Sequence, residues 1–333
     1  MEIGDIPGDG AGSGARARIG FFVGKGGVGK AAPACATAGP PPPGRSPVRG
    51  VSTDQAHSLG DVLGVPVPAS GQRDPVRIFT EEETSGGGHL DALALDTLAL
   101  LENRWRDIAP ILAMRYPDSD FKDLAPEELS ALPGVQEVLG LHEVSELAAS
   151  GRWDYLVVDC ASTADALRML TMPATFGMYL ERAWPRHRRL GSTSDDVVRI
   201  AVVAVVESLA MTLEGLAVLL ADGERVAAHL VLTPERVVAA EAVRTLGSLA
   251  LMGVRVAELI VNQVLVQDDS FEYQNLPAHP AFDWYSERIV EQRTVLDGLT
   301  RTIGDVQLVL APHLAGEPIG PKALGRLLDS VLP

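Results

Sequence analysis

The chain has little cysteine, and that scarcity bounds its chemistry. Cys35 and Cys160 are the only two cysteines in 333 residues. They are far apart and form no C-x-x-C pair, which argues against a disulfide framework and against a cysteine zinc site. A reducing, cytoplasmic setting fits that usage. Basic charge is also short: 28 Lys and Arg stand against 44 Asp and Glu, for a net charge of −16. A broad nucleic-acid surface needs a basic stripe, so no nucleic-acid partner is expected. No secretory signal is visible in the acidic, glycine-rich start. The most apolar stretch, Ile200 to Leu220, is interrupted by Glu207 and Glu214. Two carboxylates are costly in a bilayer, so this stretch is expected to be a buried helix, or strand plus helix, and not a membrane span.

What is present reads as a phosphate-binding loop. Gly24-Lys25-Gly26-Gly27-Val28-Gly29-Lys30 fits the spacing G-x-x-x-x-G-K. Its glycines let backbone N–H groups curl round a phosphate chain, and Lys30 can reach the terminal phosphates. Ile19 to Val23, just before it, reads as a short buried strand, and a strand feeding a glycine-rich turn and then a helix is the setting the motif needs. The alternative is a glycine-rich surface turn with two lysines. Lys25, directly after the first glycine, marks the deviant form of the loop, in which that lysine acts on a nucleotide held by a partner subunit. The usual closing Ser or Thr, whose hydroxyl holds Mg²⁺, is missing: Ala31 and Ala32 follow.

Residues 1–18 read as a flexible leader, and residues 19–333 as the folded unit. Tyr155–Asp159, Ala228–Leu232, Ala257–Val261 and Val306–Leu310 are short apolar runs, each followed by turn or helix-start residues. Thr233-Pro234-Glu235 reads as a helix N-cap, N1 and N2. Alternating strands and helices predict an α/β, doubly wound and mostly parallel sheet covered on both faces. Ligands in such sheets sit at the carboxyl ends of the strands, where the loops after Val23, Asp159 and Val261 converge. The stretch from about 102 to 151, rich in Leu, Ala and acid and broken by Pro110, Pro117, Pro126 and Pro133, predicts either a helical insertion above the sheet or ordinary crossover helices.

One segment contradicts this pattern. After the loop a helix should follow, yet Gly39-Pro40-Pro41-Pro42-Pro43 would end any helix, and only Val48 and Val51 remain for the next strand. A shifted reading frame confined to residues 31–50 and a genuine degenerate loop both account for it.

Further segments complete a resemblance. Val51-Ser-Thr-Asp54-Gln-Ala-His57-Ser58-Leu-Gly-Asp61-Val-Leu-Gly64 resembles the first switch of the arsenite-pump ATPase (ArsA-like) family, which includes the ATPase that targets tail-anchored membrane proteins. Tyr155 to Leu170 resembles its second switch, and Ile260-Val-Asn262-Gln263-Val264 its adenine-recognition loop. Leu132 to Glu137 and Ala311-Pro312 to Glu317 also match family positions, so the likeness covers most of residues 19–328.

The resemblance implies a P-loop ATPase that dimerises, with itself or with a related ATPase, around ATP and Mg²⁺, and acts on a client or partner protein. Gly24, Gly26, Gly27, Val28, Gly29, Lys30 and Ala31 would form the phosphate cradle. Lys30 would neutralise the β- and γ-phosphates, and Lys25 would stabilise charge across the dimer. Asp54 would orient the attacking water; with Asp159 it would organise Mg²⁺, Asp159 acting through the water shell. Asn262 has the donor and acceptor to pair with an adenine edge, and Pro312 would pack near the base. Each has a plainer reading: Asp54 and His57 as turn residues, Asp159 as a helix cap, Asn262 as a satisfied turn residue. Met169, Met172 and Met178 read either as core or as a soft client surface.

Four departures bear on function. Ala31 and Ala32 remove the loop hydroxyls, which should weaken Mg²⁺ binding and slow hydrolysis. Ser162 and Ala164 stand where the family has Pro and Gly. The zinc-binding C-x-x-C and the arsenite-binding cysteine cluster are both absent, so arsenite transport is poorly supported. A non-hydrolysing subunit of a heterodimer is therefore the alternative to a nucleotide-driven switch.

Overall fold

The computed structural model describes residues 17–37, 48–52, 58–67, 75–79, 90–115, 128, 134–191, 197–266 and 280–330. They build one eight-stranded sheet. Its strands are β1 (Arg18–Val23), β2 (Val48–Ser52), β3 (Val76–Phe79), β4 (Leu90–Ala94), β5 (Tyr155–Asp159), β6 (Val226–Leu232), β7 (Val256–Val264) and β8 (Gln307–Pro312). The order is β3-β4-β2-β5-β1-β6-β7-β8. Every pairing is parallel except β3 with β4 at one edge. The expected α/β, mostly parallel sheet is what forms.

Consecutive strand residues face opposite sides of a sheet. Phe21 and Phe22 of β1 are both fully buried, so both faces are covered. The cover is α1 (Ala31–Thr37), α2 (Ser58–Leu63), α3 (Thr97–Arg115), α4 (Val135–Ala149), α5 (Thr163–Ala183), α6 (Arg186–Leu190), α7 (Val197–Ala221), α8 (Arg236–Leu251), α9 (Pro280–Thr302) and α10 (Pro321–Ser330). Helix α1 packs on α2, α10 and β5. Helices α3, α4, α5 and α7 pack on one another, and α8 packs on β6, β7 and α9. Within the 102–151 stretch, α4 buries Leu141, Val144 and Ala148 in the same core as the strands.

The end of β5 shows how local chemistry positions the site. Asp159 closes the strand and Ser162 starts α5. The Ser162 hydroxyl accepts from the Asp165 amide (3.3 Å) and donates to the Asp165 carboxylate (2.6 Å). Ser162 is therefore the helix cap, satisfying one of the unpaired N–H groups of the first turn. Asp159 is left at the strand's tip.

Other expectations shift. The helix after β6 begins later than Thr233-Pro234-Glu235 predicts: Glu235 is the residue before α8, and the Thr233 hydroxyl donates to the Glu235 carboxylate at 2.8 Å. The stretch at Ile200 is helix throughout, within α7. It is not the buried helix expected: Val202–Ala221, long and apolar enough to cross a membrane by length and composition, is only 17% buried. It holds Glu207, which receives Arg186 (2.7 Å) and the buried Arg189 (3.2 Å). Those bonds fasten α6 to α7. The polyproline run and residues 1–16 of the leader lie outside the described residues, whereas Ala17 is buried and Arg18 opens β1. Around the run, α1 ends at Thr37 and β2 takes its place between β4 and β5 despite its poor apolar content.

Candidate functional site

A cavity of about 520 Å³ opens at the carboxyl ends of β1, β5, β7 and β8. That volume falls within the range of small-molecule sites. The phosphate loop forms one wall through Gly26, Gly27, Gly29, Lys30, Ala31 and Ala32. Asp159 comes from the tip of β5, Asn262 and Gln263 from β7, and Pro312 and His313 from the end of β8. The sequence named most of these residues from separate segments, and parallel pairing of β5, β1, β6, β7 and β8 brings their ends together.

At two positions the surroundings of the loop require glycine. A Cβ on Gly24 would lie 2.2 Å from the Val231 carbonyl oxygen of the neighbouring strand. Gly29 has φ 73, and a Cβ there would lie 2.8 Å from Asn262 Nδ2. Lys30 is buried, with its Nζ 3.3 Å from the Lys25 carbonyl oxygen to which it donates. Val28 is buried beneath the loop, and the Lys25 side chain is exposed.

Asn262 is buried at 7% exposure. Its Nδ2 donates to the Val28 carbonyl (3.0 Å) and sits 3.4 Å from the Gly29 carbonyl. Its Oδ1 accepts from the Gln263 amide at 3.0 Å. This side chain ties the end of β7 to the phosphate loop while facing the cavity.

The sequence reading missed several lining residues. Asp61, Val62, Glu317 and Ile319 lie on the cavity wall. Asp61 and Glu317 were within recognised segments but carried no assigned role. With Asp159 they make three carboxylates against one lysine, Lys30, among the lining residues. A polyphosphate needs more positive charge than that, from a metal or a second chain. The fit to Mg²⁺ is incomplete: Asp159 supplies a carboxylate, but Ala31 and Ala32 are buried and offer no oxygen at the loop's end. No group of three or more His, Cys, Asp or Glu suited to a metal occurs among the described residues. Asp54 and His57 lie outside the described residues.

Cys35 and Cys160 are free and buried. Burial first, then the negative charge of Asp159, pushes the Cys35 thiol far above its usual range, so it is an inert packing group. On β5, β6 and β7, the Tyr155 hydroxyl lies 3.2 Å from His229 Nε2, and His229 Nδ1 lies 2.8 Å from Glu258 Oε1. The carboxylate favours an Nδ1 proton, leaving Nε2 to accept from Tyr155. His229 stacks flat on Phe22 of β1 at 4.6 Å. The three methionines separate: Met169 is buried, Met172 packs on Gly134, and Met178 is 69% exposed.

The sequence matches the family model described as anion-transporting ATPase (ArsA) over residues 17–332. It is 66% identical over 320 residues to the protein named Rv2184c of Mycobacterium tuberculosis, covering 96% of this chain and 76% of that one. It is 26% identical over 260 residues to a putative arsenical pump-driving ATPase of Aquifex aeolicus, covering 75% of this chain and 64% of that one. It is 28% identical over 314 residues to the ATPase GET3A of Arabidopsis thaliana, covering 91% and 80%. The chain thus spans under two thirds of the length of the Aquifex relative. With the loop, the sheet order and the family match in agreement, this chain belongs to the anion-transporting (ArsA) ATPases, a family of ATP-binding P-loop ATPases.

Proposed function

We propose that the chain is a dimeric, nucleotide-driven switch: ATP binds in the cavity, and its hydrolysis alters a surface that engages a client or partner protein. The observation that carries this reading is the convergence of the phosphate loop, Asp159, Asn262 and Pro312 on one cavity. In this reading Gly24 to Ala31 cradle the phosphates and Lys30 turns from the Lys25 carbonyl to the β- and γ-phosphates. Lys25, whose side chain is exposed, reaches the nucleotide of a partner subunit. Asp54 orients the attacking water. Asn262 and Pro312 meet the base. Asp159 and Asp54 would hold Mg²⁺, more weakly than with a loop hydroxyl, and the ion would neutralise charge on the phosphates.

The client surface is supported by α5 and α7, which pack together and expose Phe176, Met178, Tyr179, Leu209, Met211 and Val218. Exposed apolar groups of this size mark binding surfaces in soluble proteins. The working unit is residues 19–333, with 102–151 as its helical part. The setting is cytoplasmic, with no membrane span and no nucleic-acid partner.

Ala31 and Ala32 favour a second reading, in which the chain is the silent, nucleotide-holding half of a heterodimer. A steady-state phosphate-release assay separates the two. Turnover that disappears in Asp54→Asn supports the switch. Absence of turnover above blank, with or without a related partner chain, removes it and leaves the silent subunit.

A further inference from the structure

Two consecutive strand residues normally face opposite sides of a sheet. Asn262 and Gln263 instead line the same cavity. The backbone turn that permits this is visible: Gln263 has φ 61, the one positive-φ value at a non-glycine residue among the described residues. Such a conformation is rare for an L side chain and persists only where its surroundings hold it.

The holding group is Gln292, in the middle of α9 and only 5% exposed. Its Oε1 accepts from the Leu265 amide at 2.8 Å, and its Nε2 donates to the Gln263 carbonyl at 3.4 Å. The two bonds fix the backbone on both sides of Val264. A connected series of bonds therefore runs from α9 through Gln263 and Asn262 to the Val28 carbonyl of the phosphate loop.

We propose that Gln292 is a positioning residue for nucleobase selection. It holds the left-handed turn at Gln263, which sets two carboxamides side by side on the cavity wall without itself touching nucleotide. The Asn262 carboxamide is held in one orientation, its nitrogen on the Val28 carbonyl and its oxygen on the Gln263 amide. In that fixed order it matches the amino donor beside a ring-nitrogen acceptor of adenine, whereas guanine carries an acceptor where adenine has its amino group. This rests on the nucleotide-site reading above.

The test is calorimetric titration of the full chain with ATP, GTP and inorganic triphosphate, which has no base. In Gln292→Leu both bonds are lost. ATP affinity should fall about tenfold, the scale of one lost buried hydrogen bond. The preference for ATP over GTP should shrink by the same factor, with triphosphate affinity unchanged. Gln292→Glu keeps the acceptor for Leu265 and should recover part of the preference. An equal loss on all three ligands would mark Gln292 as merely structural. An unchanged ATP to GTP ratio, or a wild-type chain that does not distinguish the two, would also overturn the proposal. If the Leu variant does not fold, the Glu variant decides: a reduced ratio supports the assignment and the wild-type ratio sinks it. Failure of the wild-type chain to bind any of the three would remove the nucleotide-site reading itself.

Discussion

Asn262 and Val28 are 234 positions apart in sequence, yet the Asn262 side-chain amide donates to the Val28 carbonyl at 3.0 Å. The bond joins the end of β7 to the loop after β1 across the intervening strand β6. Asn262→Ala removes the donor and leaves a buried carbonyl without it. The expected cost is about 1–3 kcal/mol of unfolding free energy, together with weaker ATP binding. Urea denaturation and calorimetry on the same variant measure both, and stability equal to wild type would mean the brace carries no weight.

Gly29→Ala tests the loop more locally. The new Cβ would meet Asn262 Nδ2 at 2.8 Å, in a residue whose φ of 73 is left-handed. Left-handed backbone costs an L side chain about 1–2 kcal/mol. ATP affinity should therefore fall about tenfold. Fluorescent-nucleotide titration of the folded variant reads the change, and retained affinity would argue that the loop does not wrap phosphate in this conformation.

Restoring Ala31→Thr and Ala32→Thr should return oxygen ligands to the start of α1. Both positions are buried at 7–9% exposure, so the added atoms must fit against α1's neighbours. The expected result is tighter ATP binding that depends on Mg²⁺, about tenfold if a metal-linked hydrogen bond or ligand is recovered. Titrations with and without EDTA isolate the metal-dependent part. A gain that persists in EDTA would contradict the account of the lesion.

Alkaline stability should carry a signature of Tyr155. Burial, then the charge of Glu258, raises its hydroxyl from 10.0 to about 12. A raised folded value means the native state holds its proton longer than the unfolded chain does. The stabilising contribution is thus complete below pH 10 and is lost as pH rises from 10 to about 12. The full loss is about 3 kcal/mol. Tyr155→Phe should be less stable at pH 8 but flatter between pH 10 and 12. Chemical denaturation of both proteins across that range checks it, and parallel pH profiles would refute it.

How much of this was legible in the chain differs by region. The strands flanking the loop were readable because they are short, mostly apolar and followed by turn chemistry: β5 was bounded correctly as Tyr155–Asp159. β2 was called for by the architecture but weakly signalled, since Val48 and Val51 give little apolar pattern; pairing with β4 and β5 supplies what its composition does not. β3 and β4 were missed for a related reason. Arg77 and Asp91 interrupt their apolar pattern, and the reason is an ion pair at 3.0 Å whose partners lie on different strands. At the site, the sequence pointed to Asn262 but not to Gln292, 30 residues further on. A glutamine on a helix reads as solvent-facing until the turn it satisfies is seen.

The most direct test of the account is calorimetric titration of the folded wild-type chain with ATP, magnesium in excess. Saturable uptake approaching one nucleotide per chain, abolished or strongly weakened by Gly29→Ala, is the predicted result. Absence of heat and of any nucleotide retained by correctly folded protein would contradict it.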